Sequence, residues 1–173
     1  MESLHVVVMG VAGAGKTTVS AALAERLGWM LAEADEFHPQ SNIDKMASGV
    51  PLTDEDRWPW LGSIRDWMSE QAAAGRSTVL TCSALKRSYR ELLAEADGRV
   101  VFAHLDGSPE LLAERMATRA GHFMPTGLLP SQLATLEPLT GEELGQGHLR
   151  LDISQAPERI VDDIVAGLRL PVA

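Results

Sequence analysis

One octamer, Gly10-Val11-Ala12-Gly13-Ala14-Gly15-Lys16-Thr17, constrains this chain more than any other stretch. Its pattern is that of a phosphate-cradling loop, which works only between a buried strand and the start of a helix. Both flanks comply. Leu4-His5-Val6-Val7-Val8-Met9 reads as a short buried parallel strand, and residues 19–27 place apolar side chains at helical spacing. The glycines let successive backbone N–H groups turn inward around a phosphate, and the helix behind adds its positive N-terminal end. Gly10, Val11, Ala12, Gly13, Ala14, Gly15, Lys16, Thr17 and the following Thr18 are the expected nucleotide contacts. Lys16 has the reach for the β- and γ-phosphates of ATP, and the Thr17 hydroxyl is the expected Mg²⁺ ligand.

The rest of the composition narrows the setting. A chain of 173 residues is long enough for one domain with a sizeable core. No apolar run approaches the roughly 18 residues of a membrane span, and the N-terminal apolar stretch lacks the basic flank of a signal peptide. Cys82 is the sole cysteine, which excludes an internal disulfide and fits a reducing, cytoplasmic setting. With 15 Lys and Arg against 24 Asp and Glu, the net charge of −9 argues against a broad nucleic-acid surface. It leaves room for an anionic small substrate, which needs only a local cluster of cations.

Along the chain, strand and helix alternate. Residues 29–34 read as a second strand ending at Asp35. A long helix spans 54–73, with Thr53 as N-cap and Asp56 at the third helical position. Residues 77–81 form a strand ending at Cys82-Ser83, 86–96 a helix, and 99–105 a strand. Ser108 caps a helix reaching about residue 120, residues 147–153 give the last strand, and Pro157 opens a terminal helix to about residue 168. Five strands joined by helical crossovers predict an α/β architecture of three layers, a five-stranded parallel sheet flanked by helices. Functional groups should gather beyond the carboxyl ends of the strands, where Gly13, Asp35, Ser83, Asp106 and Ser154 fall. The 121–145 segment mixes Gly and Pro with Phe123, Met124, Leu128, Leu129, Leu133 and Leu136. That composition suits a mobile lid which packs when closed, the alternative being a static packed insertion.

Several islands resemble one family. Asp35-xx-His38-Pro39 and Asn42-xx-Lys45-Met46-xx-Gly49-x-Pro51-Leu52-x-Asp54-x-Asp56-Arg57-xx-Trp60-Leu61 are similar to the substrate side of the gluconate kinases. So are Cys82-Ser83-Ala84-Leu85-Lys86-Arg87-x-Tyr89-Arg90 and Arg115-xxx-Arg119-x-Gly121-His122-Phe123-Met124-Pro125. These islands span about residues 6–157 and resemble thermoresistant-type gluconokinase. The resemblance implies the P-loop fold of the nucleoside-monophosphate and shikimate kinases. It also implies transfer of the ATP γ-phosphate to the 6-hydroxyl of D-gluconate, with ATP and Mg²⁺ required, no nucleic-acid or membrane partner, and a homodimer. A single kinase domain over 1–173 is expected, with substrate bound through 36–75 and the lid at 121–145. The rivals are another small-molecule kinase of this fold, acting on shikimate, a nucleoside monophosphate or a related sugar acid, and an ATP-binding protein without turnover.

Roles follow residue by residue. Phosphoryl transfer asks mainly for positioning and charge neutralisation, which points to Lys16 and Asp35 for catalysis, and the resemblance adds Arg119. Asp35, beside the loop in this architecture, can orient the attacking hydroxyl and accept its proton, hold a Mg²⁺-bound water, or merely cap a helix. His38 either donates to a gluconate hydroxyl or fixes the turn before Pro39. Arg57 offers a planar fork matching the substrate carboxylate, with an intrahelical pair to Asp54 as the competing reading. Of Trp58 and Trp60, which cannot share a helix face, Trp60 is expected to wall the sugar-acid pocket and the other to be core. Ser83 and Ala84 are expected to hold gluconate oxygens, and Arg90 has a better claim on substrate than Lys86. By resemblance, Arg115 stacks on adenine opposite the loop ending at Pro157, Arg119 reaches the phosphates, and His122 meets substrate from the lid. The alternative is that both arginines simply favour a helix C-terminus.

Overall fold

The structure, a computed structural model, describes residues 2–11, 13–118 and 128–168. Five strands, β1 (Leu4–Met9), β2 (Met30–Glu33), β3 (Thr78–Thr81), β4 (Arg99–Asp106) and β5 (Leu149–Asp152), make one sheet in the order β2-β3-β1-β4-β5. Every pairing is parallel. Among the described residues the helices are α1 (Lys16–Leu27), α2 (Gln40–Ala47), α3 (Asp54–Ala73), α4 (Arg87–Leu93), α5 (Pro109–Thr118), α6 (Leu128–Thr135), α7 (Gly141–Gly145) and α8 (Pro157–Leu168). None is long and apolar enough to cross a membrane.

The period of two along β1 builds two cores. Val6 and Val8 pack with Val19 and Leu23 of α1 and with Ile160 and Ile164 of α8. Val7 and Met9 face the other way, onto Leu61, Ile64 and Met68 of α3 and Leu93 of α4. Covered on both faces, β1 is buried throughout and delivers the phosphate loop from the middle of the sheet.

Local signals place most boundaries. The Asp56 N–H donates to Thr53 Oγ1 at 3.2 Å, while the Thr53 N–H donates to the Asp56 carboxylate at 2.9 Å, so the expected cap of α3 forms reciprocally. Lys45 adds a hydrogen bond to Asp56 at 2.7 Å; together with the Thr53 N–H it brings the Asp56 carboxyl down to about 2. Three readings need correction. The second strand stops at Glu33, whose carboxylate accepts the Thr81 hydroxyl, and Asp35 lies in a single 3-10 turn, Ala34–Phe37. The fourth helix is shorter than 86–96 because Lys86 keeps an extended backbone as its N-cap. Helix α2 went unforeseen because it is polar; it is tied to α3 by Asn42, buried with its amide on the Asp56 carbonyl at 2.9 Å.

The 121–145 segment begins among residues outside those described. From 136 onward it is fastened to the body. Leu139 is buried in the second core, the Glu137 N–H donates to the Leu85 carbonyl at 2.7 Å, and the Arg87 N–H donates to the Glu137 carboxylate at 2.8 Å.

Three histidines lie inside the sheet region. The His5 ring bridges the Thr78 hydroxyl (2.7 Å) and the Asp97 carbonyl (3.0 Å), and His148 Nδ1 accepts the Phe102 N–H at 3.1 Å. His104 Nδ1 is buried without a hydrogen-bond partner among the described residues. Burial lowers the pKa of all three, outweighing the Asp97 carbonyl at His5 and the nearby carboxylates at the other two. As pH falls through about 6.5, the unfolded chain takes up these protons before the folded one. Stability is therefore complete above that value and lost on acidification. The urea midpoint is expected to be lower at pH 5.5 than at pH 7.5, and an equal or higher midpoint would refute the assignment.

Candidate active site

The phosphate loop turns where β1 ends. Gly10 has φ 152°, and a Cβ there would meet the Leu105 carbonyl at 3.0 Å and the Ala14 Cβ at 3.2 Å. Gly15, at φ 93°, takes the left-handed step that starts α1. Lys16 Nζ folds over its own loop, donating to the Gly10 carbonyl at 2.8 Å and the Val11 carbonyl at 3.2 Å. Ala12 lies outside the described residues. Beside the loop is a cleft lined by Gly13, Ala14, Gly15, Thr18 and Val19, by Arg115 of α5, and by Gln155, Pro157 and Ile160. Arg115 is held there by donation to the Ile153 carbonyl. The cleft brings Arg115 and Pro157 together. Gln155 was not anticipated, since a single polar residue in a loop carries no signal of its own.

Beyond β2, the Trp60 indole N–H donates to the Ala34 carbonyl at 2.7 Å and pins the turn that carries Asp35. The His38 ring stacks on Trp60, with centroids 4.2 Å apart and planes within 15°. The Asn42 amide donates to His38 Nδ1 at 3.2 Å, so the ring proton resides on Nε2. Burial lowers the His38 pKa; the Asp35 charge opposes this and the Arg57 charge reinforces it. His38 is thus a neutral N–H donor at neutral pH. Trp60 itself is core, and its place as a pocket wall is corrected: at 5% exposure it supports His38 from behind. Trp58 is the exposed member of the pair and meets Tyr89 edge-on at 5.6 Å.

Arg57 sits in a charged cluster that bridges α3 and α4. Its Nη1 donates to the Tyr89 hydroxyl at 3.2 Å and lies 3.7 Å from the Asp54 carboxylate. Tyr89 donates to Asp54, and Lys86 Nζ lies 3.1 Å from both Asp54 oxygens. Both cations lie near the Tyr89 ring, at 5.7 Å and 5.6 Å from its centroid. The Tyr89 and Lys86 hydrogen bonds hold the Asp54 carboxyl below the usual carboxylate range. The intrahelical pair weighed for Arg57 is present. Lys86, given the weaker claim on substrate, belongs to this cluster.

Ser83 and Ala84 follow β3 after Cys82. The Gly10 N–H lies 3.4 Å from the Ser83 carbonyl, which ties this turn to the phosphate loop. Arg90 is corrected. It is buried, gives Nε and Nη2 to the Glu143 carboxylate at 2.8 and 3.1 Å, and gives Nη1 to the Ala84 carbonyl at 2.9 Å. It supports the turn from inside instead of presenting itself to substrate.

A family model described as "AAA domain" matches residues 6–139. A gluconokinase of Gluconobacter oxydans is 51% identical over 159 residues, 92% of this chain and 88% of that protein. The chain belongs to the gluconokinase family. A gluconokinase structure from Sinorhizobium meliloti 1021 is 48% identical, with a TM-score of 0.81 over 95% of this chain and 90% of that one. An unliganded sugar kinase from Janibacter sp. HTCC2649 is 52% identical, with a TM-score of 0.89 over 96% and 94% of the two chains.

In this gluconokinase-family chain, the loop, Arg115 and Pro157 are assembled around one cleft, while His38 and Arg57 occupy the neighbouring α2–α3 region. Arg119 and His122 lie outside the described residues. Among the described residues no three His, Cys, Asp or Glu side chains converge as a metal site. The hydroxyl of Thr17 and the carboxylate of Asp35 are both exposed, hard oxygen donors, which suits Mg²⁺ held chiefly by phosphates and water.

Proposed function

We propose that this chain transfers the γ-phosphoryl group of ATP to the 6-hydroxyl of D-gluconate, giving 6-phosphogluconate and ADP. The observation that carries the reading is a complete phosphate loop at the same carboxyl end of the sheet as a turn bearing Asp35 and His38, within a chain 51% identical to a gluconokinase. The N–H groups of residues 13–16 bind the β- and γ-phosphates, and Lys16 exchanges its two carbonyl contacts for phosphoryl oxygens. Arg115 and Pro157 enclose the adenine. Asp35 orients the attacking hydroxyl and accepts its proton, while His38 donates Nε2–H to a neighbouring hydroxyl. Thr17 and Asp35 would help to hold Mg²⁺, which would supply neutralisation of charge on the phosphoryl oxygens. Arg119, and His122 from the lid expected over 121–145, complete the site, and the enzyme works as a cytoplasmic homodimer.

Product analysis by phosphorus NMR tests the reaction: phosphate on any oxygen but that of carbon 6, or turnover of shikimate or AMP in place of gluconate, overturns the reading. Arg57 is assigned the substrate carboxylate. An Arg57→Met enzyme is expected to raise the KM for gluconate about 10- to 100-fold, the loss of one charged hydrogen-bonding partner. The KM for ATP should stay within about twofold. Equal damage to both substrates would return Arg57 to a purely structural place beside Asp54.

A further inference from the structure

We infer that the buried Arg90–Glu143 pair is a positioning device that holds the Ser83–Ala84 turn in its working conformation and couples it to residues 137–143. Ala84, at φ 45°, is the only non-glycine with positive φ among the described residues. An alanine resists this left-handed backbone, so the surroundings must impose it. The imposing group is visible. Arg90 donates Nη1 to the Ala84 carbonyl at 2.9 Å, and its other two donors lock onto Glu143 at 2.8 and 3.1 Å.

Glu143 is fixed in turn by its own helix cap. The Thr140 N–H donates to Glu143 Oε1 at 3.2 Å, and the Glu143 N–H donates to Thr140 Oγ1 at 3.1 Å. A second strap runs alongside, from the Glu137 N–H to the Leu85 carbonyl at 2.7 Å. On its far side the turn reaches the phosphate loop, through the Gly10 N–H and the Ser83 carbonyl. One continuous set of contacts thus leads from α7 through the pair to the start of the loop.

Apolar residues would fill this space with less desolvation cost. What they cannot supply is a rigid three-donor fork that aims one carbonyl while gripping a carboxylate. That distinction makes the inference testable. Glycine adopts the left-handed region freely, so a turn carrying Ala84→Gly should no longer depend on the anchor.

The experiment is a double-mutant cycle in the full-length enzyme. Glu143→Gln, which keeps the shape and removes the charge, is made in the parent background and in the Ala84→Gly background. For each protein kcat/KM for gluconate, the dissociation constant of ATP and the urea midpoint are measured. In the parent background Glu143→Gln is expected to lower kcat/KM roughly 10-fold, within the range of coupling between residues of one network. In the Ala84→Gly background the same change should cost no more than about twofold. The urea midpoint should drop similarly in both. Equal loss of kcat/KM in the two backgrounds overturns the inference, as does no loss in either.

Should Glu143→Gln fail to fold, Arg90→Lys serves in its place. Both variants unfolded and unrescued by Ala84→Gly would assign the pair to stability alone and refute the positioning role. The substrate readout rests on the gluconate reading. If the parent enzyme turns over a different acceptor, that reading fails by itself, and the cycle is run with the acceptor that is used.

Discussion

Replacing Lys16 by alanine is expected to lower gluconate turnover by roughly 10²–10³-fold, the effect of removing one preorganised charge from a transition state that spreads negative charge over oxygens. The side chain is kept at the loop by the Gly10 and Val11 carbonyls and exchanges them for phosphoryl oxygens as nucleotide binds, so its ammonium is in place before the chemical step. Little reorganisation is then needed at the moment of reaction. ATP affinity should fall as well, because the same ammonium is the group we propose for contact with the β- and γ-phosphates. Coupled measurement of ADP release checks the first expectation and calorimetric titration with ATP the second. Wild-type turnover in Lys16→Ala would remove the residue from the chemistry and leave the loop as a binding element only.

The second large effect is on stability. Glu143→Ala strands the Arg90 guanidinium in the protein interior, where the two side chains are 2% and 6% exposed. Breaking one side of such a pair costs about 3–5 kcal/mol. In a chain of this size that corresponds to a fall in Tm of roughly 6–20 °C. Replacing both members, as Arg90→Met with Glu143→Leu, should cost less than Glu143→Ala, since no buried charge is left unpaired. A contrasting pair is Arg26–Asp162, with exposures of 48% and 56%, whose removal should move Tm hardly at all. Calorimetry on the three proteins decides. A double replacement as damaging as Glu143→Ala would mean that packing, and not charge, dominates at that site.

Much of the architecture was legible because local chemistry and tertiary need agree. Thr53 and Asp56 signal the start of α3 by the same hydrogen bonds that form there, and Pro157 opens α8 at its first turn. The loop from Gly10 to Thr17 could be read because its glycines are demanded by backbone geometry. The losses came where side-chain direction decides. Arg90 and Lys86 are four residues apart, but α4 begins only at Arg87, so Lys86 sits on the cap and swings to Asp54 while Arg90 turns inward. Spacing alone cannot make that distinction. Trp60 was misplaced for a similar reason: its indole N–H finds a partner in the Ala34 carbonyl, a backbone group no pattern of side chains reveals. One signal was available and went unused. Thr140 and Glu143 are a capping pair in sequence, and they mark α7 within the stretch expected to be a lid.

The buried thiol of Cys82 gives this molecule a built-in clock. Its N–H donates to the Val8 carbonyl at 3.1 Å, it is 2% exposed, and burial pushes its pKa up to about 12. In the folded chain there is accordingly almost no thiolate for an electrophile to find. No other cysteine competes for the reagent. Covalent labelling therefore registers only those moments when the sheet parts beside its central strand, and the reaction rate under native conditions counts such openings directly. The phosphate loop leaves the neighbouring strand a residue or two away, so any nucleotide that braces it should slow the count, turning a silent residue into a gauge of how firmly the occupied enzyme stays shut.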